Sequence, residues 1–133
     1  MAATNKLTIK FKVGRSADGF DAYAKDGNGS ILTSGNTMAE LKANAVYAYN
    51  EHADYHGLKK ITEDNIEIEF VLESVFAFYG IINAKALSTK IGMSNTLLSQ
   101  YVNGIKKPSP KQVAKIAAGL RQVGKELAEL QLA

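Results

Sequence analysis

With 133 residues, 46% of them apolar, the chain fits one domain or two small ones and is too apolar for general disorder. It has no cysteine and two histidines, His52 and His56, which excludes disulfide frameworks, thiolate metal sites and histidine-rich clusters. The formal charge of +3 is divided unevenly: residues 1–71 carry eight Lys/Arg against ten Asp/Glu, and residues 72–133 carry eight against three. The second half is therefore the part suited to a polyanion. No apolar run approaches a membrane span and the opening MAATNKLTIK lacks a signal-type apolar core, so a cytoplasmic protein with no membrane association is expected.

From Lys6 to Val13 polar and apolar residues alternate, which predicts a strand with Leu7, Ile9, Phe11 and Val13 on one face. Gly14 to Gly19 reads as the following turn, with Asp18-Gly19 its strongest signal. Phe20, Ala22 and Ala24 face one side of a second strand, while Asp21, Tyr23 and Lys25 face the other. Asp26-Gly27-Asn28-Gly29 makes a second turn into a short third strand, Ser30 to Ser34. The period then changes. Thr37 followed by Glu40 is a capping box opening a helix whose stripe is Met38, Leu41, Ala45, Val46, Ala48 and Tyr49, with Gly57 as its stop. Ile66, Ile68 and Phe70 alternate with Glu67 and Glu69 in a fourth strand, so the order is βββαβ. Asp18, Asp21 and Asp26 tempt a metal reading, but two sit beside turn glycines and one on a polar strand face. No HExxH pattern surrounds His52 and His56. Neither a metal nor a cofactor is expected, and no convergent set of carboxylates supports a nuclease or another enzyme.

The segments Phe20–Ala24, Ile31–Thr37 and Met38–Ala45 resemble the amino-terminal frame of HicB-type antitoxins. The chain has Asp26-Gly27-Asn28-Gly29-Ser30 where that family usually carries a proline-rich segment. The resemblance implies a partial ribonuclease H-like fold without catalytic carboxylates. It also implies a protein partner, a small basic HicA-type ribonuclease toxin.

In the second half a helix is predicted from Glu73 to Tyr79, with Val75, Phe76 and Tyr79 as buried candidates and Gly80 ending it. Asn83 caps the next helix, Ala84 to Lys90. Gly92 permits a tight turn, and Ser94 caps a third helix running to Asn103. Ile91, Met93, Leu98 and Val102 close the space between those two helices. Ser109 caps and Pro110 opens a last helix, with Val113, Ile116, Ala117 and Leu120 on its buried side. Leu120, Val123, Leu127 and Leu130 continue at helical spacing, either against the chain's own bundle or as a surface joining subunits.

Leu87 to Gly104 resembles the Cro/phage-repressor type of helix-turn-helix, with Ala84 where that family often has glutamine and Ser88 where it usually has alanine. By that resemblance Asn95, Thr96 and Gln100 align with residues that read base edges, and Ser99 lies on the adjacent surface. Their chemistry is consistent with that role, since Asn and Gln amides pair bidentately with adenine. Ser94 near the helix start and Lys106 and Lys107 beyond its end are candidates for phosphate contact. The expected whole is an α+β chain. Residues 1–71 form the toxin-binding domain and residues 72–133 an all-helical domain that binds double-stranded operator DNA as a homodimer or higher oligomer. The alternative keeps the DNA-binding part and makes the first half a dimerisation or ligand-sensing module of a stand-alone repressor.

Overall fold

The computed structural model describes residues 6–17 and 19–133. Asp18, expected in the first turn, lies outside the described residues. The chain divides into two compact units, 1–74 and 75–133. The first holds a mixed sheet with a helix, and the second is all-helical.

In the first unit β1 (Ile9–Ser16), β2 (Gly19–Asp26) and β3 (Gly29–Gly35) lead into α1 (Met38–His56), and β4 (Ile66–Phe70) follows. The sheet order is β3-β2-β1-β4, antiparallel except for β1 with β4. A parallel neighbour requires a crossover, and α1 supplies it. Thr37 Oγ1 accepts the Glu40 N–H at 3.1 Å, which is one half of the expected capping box. Gly57, in the left-handed conformation at φ 68°, ends the helix. Phe11, Val13, Ala22, Ala24 and Ile31 from the sheet meet Leu41, Ala45, Tyr49 and Ala53 from α1, with Ile61 and Ile66 closing the core. Gly35 is required for space rather than for its dihedrals, because a Cβ there would stand 2.8 Å from the Leu41 backbone nitrogen.

Two expectations for this unit need correction. β1 begins at Ile9, not Lys6, and Leu7 is exposed rather than in the core. The ladder to β4 starts at Ile9–Ile66, and the Leu7 carbonyl instead accepts from Asn65 Nδ2 at 2.8 Å. Gly14 to Ser16, expected in a turn, extend the strand because Asp21, Phe20 and Gly19 pair with them. Asparagine side chains act as backbone surrogates elsewhere too. Asn50 donates to the Ile61 carbonyl at 3.1 Å and accepts its N–H at 2.8 Å, fastening the loop after α1.

The chain continues with α2 (Leu72–Phe78), inside which the division between units falls. Three helices follow: α3 (Ala84–Ile91), α4 (Asn95–Val102) and α5 (Pro110–Glu129). Phe76, Leu87, Met93, Leu98, Tyr101 and Ile116 are buried. Tyr79 and Val113, expected inside, are exposed, and Tyr101 takes a buried place instead. Tyr79 follows the last residue of α2, although its N–H still returns to the Val75 carbonyl at 2.8 Å. α3 and α5 approach closely at Gly119, where a Cβ would stand 2.3 Å from Ile91 Cγ2. Among the described residues no helix is long and apolar enough to cross a membrane.

Candidate nucleic-acid interface

Two short capped helices and a left-handed glycine build the candidate site. Asn83 Oδ1 accepts the Ala86 N–H at 3.0 Å and starts α3. Gly92, at φ 69°, ends it and turns the chain, a conformation that a Cβ would strain. Ser94 Oγ then accepts the Leu97 N–H at 3.1 Å and starts α4. Ser88 is buried between, its hydroxyl donating to the Lys85 carbonyl at 2.6 Å, so the polar atom inside the turn is satisfied. Lys115 Nζ, from α5, donates to the Gly92 carbonyl at 3.4 Å and places a cation over the turn.

Helix α4 is sharply two-sided. Leu98 and Tyr101 are buried, with Leu97 and Val102 beside them, and this fixes which residues face outward. Thr96, Ser99, Gln100 and Asn103 stand at i, i+3, i+4 and i+7 and share the opposite face. Asn95 lies in the first turn, exposed like Thr96, while Ser99 and Gln100 are half-buried. Ser94 is exposed, but its oxygen is engaged in the cap, leaving its O–H to donate outward. Ser99 Oγ accepts from Asn103 Nδ2 at 3.2 Å. Asn103, expected from sequence only as the end of the third helix, is also a member of this face. The i+7 spacing from Thr96 is the signal that finds it.

Lys106 and Lys107 are exposed just past the left-handed Gly104. The Lys106 N–H and the Ile105 N–H both return to the Gln100 carbonyl, at 3.2 and 2.9 Å, so this connection is anchored to α4. Among the described residues neither lysine pairs with a carboxylate. Residues 75–133 carry eight Lys/Arg and only two acids, Glu126 and Glu129, both near the end of α5. Glu126 is bound to Gln122 and to Lys90, at 3.1 Å each, and these contacts lower its pKa, Gln122 first. The field around α4 is thus positive with little internal compensation.

Among the described residues of the first unit no comparable constellation occurs. Among the described residues no three His, Asp or Glu side chains are placed to hold a metal. Asp26 accepts the Asn28 N–H at 2.7 Å and meets His52 Nε2 at 2.8 Å, tying the β2–β3 turn to α1. The His56 ring lies tilted against that of His52, with centroids 4.5 Å apart and the planes at 54°. Asp21 stays on the outer sheet face.

Compared with known protein families, residues 81–129 match the helix-turn-helix family, a span that takes in α3, α4 and α5. Neither the comparison with curated proteins nor that with solved structures gives a match. The carboxy-terminal unit thus carries a helix-turn-helix domain, a finding consistent with DNA binding and transcriptional regulation.

Proposed function

We propose that this protein, with its helix-turn-helix domain as the DNA-binding part, is a HicB-type antitoxin and operon repressor. The observation that carries the DNA half is the outward polar face of α4, framed by Lys106 and Lys107, which among the described residues have no acidic partner. In this reading α4 enters the major groove. Asn95, Thr96 and Gln100 read base edges through amide and hydroxyl groups, and Ser99 lies at the side of that contact. Ser94 donates to phosphate from the helix start, and Lys106 and Lys107 hold the backbone beyond its end. These backbone contacts set register and supply the salt-dependent part of affinity. A single short helix reads only a few base pairs, so two copies act across a two-fold operator, one DNA turn apart. Such a regulator works in the cytoplasm.

The βββαβ unit supports the antitoxin half. Its strand order and single crossover helix suit a partial ribonuclease H-like fold. In this reading residues 1–71 bind a small basic ribonuclease and residues 72–133 bind the operator, and neither part catalyses a reaction. The first region's surplus of acids over bases fits a basic partner. The test is co-expression of the full chain with the small basic protein encoded beside its gene. Co-purification with loss of RNA cleavage supports the proposal. A verified neighbouring ribonuclease that stays active and unbound contradicts its toxin half and leaves the DNA half standing.

A further inference from the structure

The two edges of the sheet differ in the features that govern strand pairing. The β4 edge carries Glu67 and Glu69, both near Lys10, at 4.0 and 3.3 Å. Charges of this kind discourage another strand from adding on. The opposite edge, β3, reads Gly-Ser-Ile-Leu-Thr-Ser-Gly and has neither charge nor proline. Leu32, at its centre, is 74% exposed. Along the same edge Asp21, Leu32, Thr33 and Ser34 line a shallow depression.

The register tells which backbone groups are free. Asp26 and Gly29 are paired across a two-residue loop, and the pair closing such a loop exchanges both backbone hydrogen bonds. Bonded and non-bonded pairs alternate along the ladder, so Lys25–Ser30, Tyr23–Leu32 and Asp21–Ser34 are the non-bonded ones. The N–H and C=O of Ser30, Leu32 and Ser34 therefore point away from β2, to the open edge. One of these groups is occupied: the Ser34 carbonyl accepts from Asn44 Nδ2 at 2.8 Å and keeps a second lone pair.

We propose that β3 is a self-pairing edge, at which a second copy of this chain adds its own β3 antiparallel about a two-fold axis at Leu32. In that register Leu32 meets Leu32 of the second copy and the pair exchanges both backbone bonds, while each Ser30 meets the other copy's Ser34. The outer-face rows are then complementary. Lys25 lies beside Ser30 and Asp21 beside Ser34, so the pairing puts a lysine and an aspartate at opposite ends of each flanking row. The central row becomes Tyr23–Leu32–Leu32–Tyr23, joining the exposed apolar side chains of the two copies into one stripe. Any two-fold register centred on a serine leaves part of β3 unpaired and separates the leucines. This pairing deepens the two-copy reading of the preceding section but uses no DNA contact, so it is tested without DNA.

The experiment is sedimentation equilibrium on the full chain, wild type against Leu32→Lys and Leu32→Glu, each alone and then mixed in equal amounts. Leu32 is outside the core, and thermal melts confirm that each variant is folded. The expected result is a wild-type dimer and a dissociation constant raised roughly tenfold or more for each variant alone, because like charges then face each other across the axis. Mixing the two variants restores dimers, since lysine now faces glutamate. Hydrogen exchange at the Ser30 and Leu32 amides slows as wild-type concentration rises. A monomeric wild type at high micromolar concentration overturns the proposal. So do variants that dimerise as well as wild type, or that stay monomeric on mixing. If the dimer instead breaks on Leu127→Lys or Leu130→Lys and not on Leu32 changes, the interface is on the exposed end of α5. The edge proposal then fails while the DNA reading survives.

Discussion

Replacing Gly119 with alanine tests how closely α3 and α5 pack behind the candidate DNA-reading helix. Inside a helix, alanine is favoured over glycine by about 1 kcal/mol. The new Cβ, however, would stand 2.3 Å from Ile91 Cγ2 and 3.5 Å from Leu87 Cδ1. Ile91 Cγ2 branches directly from Cβ, so it cannot move aside as the end of a flexible chain would. Relief requires an off-rotamer Ile91 or separation of the helices, at about 1–3 kcal/mol. The net effect of Gly119→Ala is therefore a loss of up to about 2 kcal/mol. Ile91→Ala removes the obstructing methyl, and in that background Gly119→Ala should stabilise by up to about 1 kcal/mol. Native-state hydrogen exchange at α3 and α5 amides across the four proteins of this cycle measures the coupling. If Gly119→Ala stabilises equally in both backgrounds, the close approach does not exist and the packing argument fails.

Asn50→Ala should cost about 1–3 kcal/mol in urea unfolding, because it strands both backbone groups of Ile61. Asn50→Asp, which keeps the acceptor and loses the donor, should fall between it and wild type. Among the described residues Ser74 Oγ is buried without a hydrogen-bond partner, so Ser74→Ala should raise stability by about 1 kcal/mol in thermal unfolding; a loss of that size would reveal a missing partner. The Asp26 carboxyl is held below its ordinary value of 3.8, first by the Asn28 N–H and then by His52. A lowered folded-state value means that its contribution is full above that ordinary value and is lost as pH falls through the lower one. Unfolding measured from pH 6 down to about 2 should therefore show a shallower acid decline for Asp26→Asn than for wild type.

The elements written in local chemistry were legible. Thr37, Asn83, Ser94 and Ser109 each cap the helix they were expected to cap, because an N-cap needs only a side-chain oxygen within reach of the next turn. Ala53, the last buried residue of the α1 stripe, lies inside the helix that Gly57 was expected to stop, but the stripe was drawn only to Tyr49; its spacing of four from Tyr49 is the signal that finds it. The parallel β1–β4 pairing could not be read, since alternation identifies a strand but not its neighbour. Contacts between distant residues were equally hidden: Asp26 with His52, Asn44 with Ser34 and Gly119 against Ile91. Gly119 in particular reads in sequence only as a poor helix former. At the candidate site the resemblance named Asn95, Thr96 and Gln100, whereas the burial of Leu98 and Tyr101 showed which face is outward and brought Asn103 into it.

The division of labour around α4 is the central claim, and a salt-dependent DNA titration tests it most directly. The duplexes are one selected by the full chain from random sequence, its single-base variants and an unrelated control. Gln100→Ala should lose discrimination at one base position by roughly 1–3 kcal/mol while its salt slope stays near that of wild type. Lys106→Ala with Lys107→Ala should weaken all duplexes together and lower the salt slope by about 2. Each variant is first shown to fold and assemble as wild type does. If Gln100→Ala instead weakens every duplex alike and the lysine pair changes only sequence preference, the reader and positioning roles assigned to α4 and its flank are wrong.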